Sequence, residues 1–143
     1  MLGTVAKWLR IYGFDAVYAE DDASDEELIN IAKNEDRILI TRDKNLTFDA
    51  RRENVKVLEL KTTDFDEQIK DILKDFKIDK NKFLSRCLLC NSLVEKIDKK
   101  EVEKRVPEKV FENNNEFWIC KKCDKVYWRG SHFENMIQKS KAF

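Results

Sequence analysis

Ser85-Arg86-Cys87-Leu88-Leu89-Cys90-Asn91, residues 85–91, holds two cysteines two residues apart, and Cys120-Lys121-Lys122-Cys123 repeats the spacing after 29 intervening residues. A two-residue gap lets both sulfurs of a tight turn face one ion. Two such turns complete a tetrahedral four-thiolate shell, the closed arrangement of structural zinc. Two disulfides or a redox motif are the alternatives. Disulfides are rare in reducing compartments, and a single redox pair needs no second. Asn91 and Asp124, which follow each second cysteine, tolerate the left-handed conformation that a tight turn often demands. Phe117-Trp118-Ile119 and Lys125-Val126-Tyr127-Trp128 read as strands on either side of the second pair. The expectation is a small zinc ribbon over residues 79–143. Its ligands are Cys87, Cys90, Cys120 and Cys123, and its Zn²⁺ is structural because no ligand position is left open for chemistry.

Upstream of residue 79 the pattern changes to helices alternating with strands. Leu2, Val5, Ala6 and Leu9 recur at helical spacing up to Gly13. Ala16-Val17-Tyr18-Ala19 reads as a strand. Ser24 and Glu27 form a capping box ahead of a helix carrying Leu28, Ile29, Ile31 and Ala32. Ile38-Leu39-Ile40-Thr41 is apolar on both faces, as a buried parallel strand is. A short helix over 46–52, a strand over 55–60, and a helix capped by Thr62 or Thr63 complete residues 1–78. Strands alternating with helices imply a parallel sheet flanked by helices, hence an α/β fold.

The chain has 143 residues, 39% of them charged, against about 25% in an ordinary globular domain. With three Gly and one Pro it does not have the composition of a disordered chain. It shows neither the apolar run of a secretory signal nor a membrane span, so a cytoplasmic protein without membrane contact is expected. Net charge is zero but unevenly spread. Residues 1–78 hold 13 Lys and Arg against 18 Asp and Glu, and residues 79–143 hold 15 against 10. An acidic first half and a basic second half suit a metal-dependent enzyme joined to a nucleic-acid grip. Two ordinary solvated surfaces are the alternative.

Asp21 and Asp22 follow the first expected strand and Asp43 the second. In open α/β sheets, ligands bind beyond the carboxyl ends of the strands. These acids are expected to share one edge, with Asp25 reaching in from a helix N-terminus. Clustered carboxylates repel unless a cation lies between them, and Mg²⁺ or Mn²⁺ would remove that conflict. Alternatively, Asp21, Asp22 and Asp25 are loop and first-turn acids favoured by a helix dipole. Asp43, directly after a strand and Thr41-Arg42, is harder to explain that way. A receiver-type phosphoacceptor domain also places acids at strand ends, but needs five strands where three are expected.

Several stretches together resemble the Mut-seven C-terminal RNase domain family. They are Met1-Leu2-Gly3, Lys7-Trp8-Leu9-Arg10, Gly13-Phe14-Asp15, Asp25-Glu26-Glu27-Leu28 and Leu39-Ile40-Thr41-Arg42-Asp43. In the second half they are Ser85 to Asn91, Arg105-Val106-Pro107, Phe117-Trp118, Val126-Tyr127-Trp128 and Gly130-Ser131-His132. The resemblance implies a PIN-like ribonuclease domain over 1–78 followed by the zinc ribbon. It implies RNA cleavage by a few acids that hold divalent ions, and carries that role onto Asp25, with Glu26 beside it, and Asp43. The family pattern also has an Asp on a first strand just upstream of the Met-Leu-Gly. The sequence opens at that Met1, so the strand and its acid are expected to be missing, either because the sequence starts at an internal Met or because the protein lacks that ligand; the sheet edge left bare would invite a homodimer. The expected function is Mg²⁺- or Mn²⁺-dependent endoribonuclease activity with a ribbon that helps bind RNA. A non-catalytic RNA-binding or adaptor protein that keeps the fold is the alternative.

Lys121 and Lys122 inside the second knuckle, with Arg86 and Arg129 nearby, form an expected phosphate-contacting patch, and Arg42 joins it beside Asp43. A solvated knuckle is the other reading. Trp118, Tyr127 and Trp128 fit either base stacking or the ribbon's small core. His132, the only histidine, fits a phosphate contact or a structural hydrogen bond at a helix start.

Overall fold

The computed structural model describes residues 2–19 and 22–141. The chain forms two compact units, Met1–Val5 with Tyr18–Lys77 and Ala6–Val17 with Ile78–Phe143. Helix α1 (Gly3–Ile11) contributes to both. Among the described residues, no helix is long and apolar enough to cross a membrane.

In the first unit, the Ser24 hydroxyl accepts the Glu27 N–H at 3.1 Å and so opens α2 (Asp25–Asn34), the cap the sequence announced. Strands β1 (Leu39–Thr41) and β2 (Val57–Glu59) pair in parallel, Leu39 opposite Val57 and Thr41 opposite Glu59. Helix α3 (Lys44–Arg52) connects them. Helices α2 and α3 stop by the same device. Asp36 and Asn54 take φ values of 51° and 61°. The N–H groups of Arg37 and Val55 then reach back to the carbonyls of Ala32 and Ala50, the closure of a Schellman turn. Ile29, Ala32, Leu46, Ala50 and Val55 form the core, with Leu28, Leu39 and Val57 packed against it. Helix α4 (Phe65–Asp75) buries Gln68, Ile69 and Ile72.

Three sequence expectations change here. The strand expected at Ala16–Ala19 does not form; residues 14–19 are irregular. The backbone of Ala16 is already engaged, its N–H donating to Asn91 Oδ1 at 3.0 Å and its carbonyl accepting from Arg10 Nε at 2.8 Å. Its N–H is no longer available to a ladder, and the described parallel sheet is the pair β1-β2. The Ile38–Thr41 stretch is not buried on both faces, because Ile38 is 41% exposed and Leu39 and Ile40 are half-buried. Asp64, not Thr62 or Thr63, caps α4, accepting the Glu67 N–H at 3.1 Å. A carboxylate there also complements the helix dipole, which a hydroxyl does not.

In the second unit, β3 (Glu95–Ile97), β4 (Phe117–Cys120) and β5 (Lys125–Tyr127) form an antiparallel sheet in that order. Alternation along β4 serves two layers. Trp118 and Cys120 join Tyr127, Cys87 and the knuckle residues Leu88, Cys90 and Cys123. Phe117 and Ile119 join Val126, Val102, Val106, Val110, Phe111 and Trp128. The charge-rich stretch after β3 therefore folds as α5 (Lys99–Val102) and α6 (Glu108–Asn113) over the second face. Trp8, Tyr12, Phe83 and Phe133 form a chain of ring contacts with centroids 5.7–6.1 Å apart, which ties the end of α1 to α7 (Ser131–Ser140).

Candidate metal centre and acidic helix ends

The two knuckles bring Cys87, Cys90, Cys120 and Cys123 together, with all four sulfurs within 4.8 Å of one another. Cys90 and Cys120 Sγ lie 3.6 Å apart. A tetrahedron built on Zn–S bonds of about 2.3 Å has edges of about 3.8 Å, so the set fits a zinc ion. Each knuckle turns on the residue after its second cysteine. Asn91 and Asp124 hold φ values of 69° and 53°, the left-handed turns expected from their residue type. The Cys123 N–H points at Cys120 Sγ at 3.4 Å.

The thiols are electrostatically unequal. Hydrogen bonding from Ser92 brings Cys90 down to about 6. Burial pushes Cys87 up, but the Tyr127 hydroxyl and the Cys90 and Leu89 amides outweigh it and leave Cys87 below the ordinary thiol. Burial raises Cys120, and the hydrogen bond to Cys90 pushes Cys123 up to about 12. Four adjacent thiolates need a cation to coexist, which a soft dication supplies. Tyr127 is the outer support. Its hydroxyl lies 3.1 Å from Cys87 Sγ and accepts the Leu88 N–H at 3.1 Å. Burial raises its own pKa, and the neighbouring Cys87 adds to this.

The first knuckle is also held from outside. Arg10 donates to the Leu88 carbonyl at 2.7 Å, and Asn91 Nδ2 to Asp15 Oδ1 at 2.6 Å. Arg86 donates to the Asn91 carbonyl at 2.8 Å and lies 3.8 Å from Asp15. The second knuckle is held by Arg105, which donates to both the carbonyl and the carboxylate of Asp124 at 2.9 and 2.8 Å.

Asp43 caps α3: Oδ1 accepts the N–H groups of Asn45 at 2.8 Å and Leu46 at 3.2 Å. Asp25 is the first residue of α2 and is exposed. Asp25, Glu26, Ile29 and Asn30 line an open cavity of about 630 Å³ with Asp49, Arg52 and Glu53 of α3, and Asp43 is not part of that lining. Asp22 is exposed, and Asp21 lies outside the described residues. Among the described residues, the cysteines are the one set of three or more His, Cys, Asp or Glu side chains close enough to share an ion.

The expected phosphate patch is dispersed in its commitments. Lys121 pairs with Glu95 at 2.8 Å and Lys122 is exposed. Arg129 lies over the rings of Trp118 and Phe133, 5.2 and 5.3 Å from their centroids. Arg86 serves the first knuckle, and Arg42 is half-buried. Trp118, Tyr127 and Trp128 pack into the sheet's two layers. Residue 132 lies in the first turn of α7. Sequence reading missed Tyr127 as the support of Cys87 and Arg10 as the holder of Leu88. The only signal for either was its place in a family motif.

Fold and site define a mixed α/β protein with a small parallel sheet, a second antiparallel sheet and a four-cysteine site able to hold zinc. The Mut7-C RNAse domain matches residues 1–140, essentially the whole chain, and the protein belongs to that family. Membership gives it a ribonuclease-type function. No match was found among curated proteins or among solved structures.

Proposed function

We propose that the chain is a divalent-metal-dependent endoribonuclease of PIN-like type, in which residues 79–143 form a structural zinc ribbon that helps grip single-stranded RNA. The observation that carries this reading is the match to an RNase domain over residues 1–140. Two acids support it. Asp43 follows β1 and Asp25 starts α2, helix ends where carboxylates are stable. Capping occupies one oxygen of Asp43 and leaves the other for a cation. Asp25 and Asp43 would hold a hard divalent ion, whose chemistry there would be to polarise the scissile phosphate. Lys121, Lys122, Arg86, Arg129 and Arg42 would supply the positive field along the RNA backbone.

The test is cleavage of an end-labelled single-stranded RNA with Mg²⁺ or Mn²⁺. Cleavage is expected to stop with EDTA and in Asp43→Asn and Asp25→Asn. Cleavage that survives Asp43→Asn or EDTA would remove these acids from the active site. A second reading, an RNA-binding adaptor without catalysis, is favoured by one observation. Asp25 and Asp43 do not belong to any described set of three or more ligands able to share a cation. RNA binding without metal-dependent cleavage would decide for it.

A further inference from the structure

We propose that Arg10 and Asn91 are positioning residues that couple metal occupancy of the first knuckle to the order of residues 10–17, the segment leading into the chain that bears Asp22 and Asp25. The inference rests on the zinc reading but not on catalysis.

The segment after α1 has little regular structure of its own. Tyr12, Gly13 and Phe14 donate back to Trp8, Arg10 and Leu9, and residues 14–19 then lie outside any helix or strand. Knuckle-linked groups take the place of a ladder. Arg10 is 7% exposed and bridges two carbonyls, Leu88 inside the Cys87–Cys90 turn at 2.7 Å and Ala16 at 2.8 Å. Asn91 is 7% exposed and uses both ends of its amide, Nδ2 to Asp15 and Oδ1 from the Ala16 N–H. Leu88 and Asn91 hold these positions only while the turn between the cysteines is closed. The turn itself closes through the Asn91 N–H on the Cys87 carbonyl at 2.9 Å and the Cys87 N–H on the Ser92 carbonyl at 2.8 Å. A metal that fixes both sulfurs fixes this turn. Losing it frees Leu88 and Asn91 together, and with them the partners of Arg10, Asp15 and Ala16. Among the described residues, the second knuckle makes no such connection. Its left-handed residue, Asp124, is tied to Arg105.

Asn91→Gly is the informative variant. Glycine accepts the φ of 69° at that position, so the turn and its cysteines stay while both amide contacts go. Arg10→Met keeps the aliphatic packing and removes the guanidinium. Asp124→Gly is the matched control in the second knuckle. The measurement is hydrogen exchange of the full-length, zinc-loaded protein, with zinc counted by elemental analysis in the same samples. In Asn91→Gly, with zinc retained, the Ala16 amide is expected to exchange on the order of tenfold faster or more, because its acceptor is gone. Arg10→Met should loosen 14–17 in the same way, whereas Asp124→Gly should not. Chelation of zinc from the unaltered protein should deprotect 10–17 together with 85–93. Unchanged protection of 10–17 in Asn91→Gly, or after complete chelation, overturns the proposal. Equal deprotection by Asp124→Gly overturns its specificity for the first knuckle. Absence of zinc in protein purified without chelator overturns the zinc reading and the coupling with it. RNA cleavage, whichever way it falls, bears only on the proposed function.

Discussion

Asp43 shows how one side chain can carry two roles that a substitution separates. As the N-cap of α3 it satisfies two backbone N–H groups, and Asn does this about as well as Asp. Asp43→Ala should therefore lower unfolding stability by about 1 kcal/mol in a denaturant titration, and Asp43→Asn by much less. If the carboxylate also binds the catalytic cation, both variants lose metal-dependent cleavage, so activity and stability part company only in the asparagine variant. Tyr127 offers a parallel case at the metal centre. Tyr127→Phe removes the hydroxyl that serves Cys87 and Leu88 and leaves the Leu88 N–H without that acceptor. Zinc affinity, read by competition with a chromophoric chelator, should drop by about 10–100-fold. Cys87→Ser or Cys120→Ser removes a ligand outright and should cost both the zinc and the ribbon's thermal transition.

At the scale of elements, the informative positions are where a turn meets backbone. Gly13 has φ of 92°, and a Cβ there would run into the carbonyl of Lys82. Gly13→Ala is expected to destabilise the protein by more than about 1 kcal/mol, since both the conformation and the space exclude a side chain. A thermal melt checks it. The three-stranded sheet is thin and covered on both faces, by the knuckles on one side and by α5 and α6 on the other. Phe117 is fully buried, and truncating a buried Phe costs about 3–5 kcal/mol. Helix α5 has four residues, too short to persist alone, so its order is borrowed from that packing.

For the whole molecule, the testable quantity is charge. The basic excess of residues 79–143 against the acidic excess of 1–78 predicts RNA binding that weakens steeply as salt rises, because each phosphate contact releases counterions. Lys121→Glu combined with Lys122→Glu should weaken binding alike for all sequences and flatten the salt slope, as filter binding across a salt series would show. Lys121 already pairs with the exposed Glu95, and a surface pair of that kind is weak enough for a phosphate to displace. Binding indifferent to salt and to both substitutions would move the RNA surface off the second knuckle.

Local chemistry is legible along the chain. Two C-x-x-C turns announce a four-sulfur site wherever they meet, Asn91 and Asp124 announce left-handed turns, and Ser24 with Glu27 announces a helix start. Family membership was legible in the same way, from short motifs at fixed spacing. Long-range competition for backbone groups is resolved in the folded chain and nowhere along the sequence. Ala16–Ala19 has strand composition, yet Arg10 and Asn91, far apart in sequence, claim the hydrogen bonds of Ala16 that a ladder would need. Val102, Val106 and Val110 recur every four residues within a charged stretch, and only the Phe117–Ile119 face of β4 gives that faint stripe something to cover. Asp25 lines the cavity between α2 and α3 and Asp43 does not, a separation that their spacing along the chain could not announce. Spacing along a chain fixes a turn's geometry, whereas the meeting of distant residues depends on which partner each backbone group finds first.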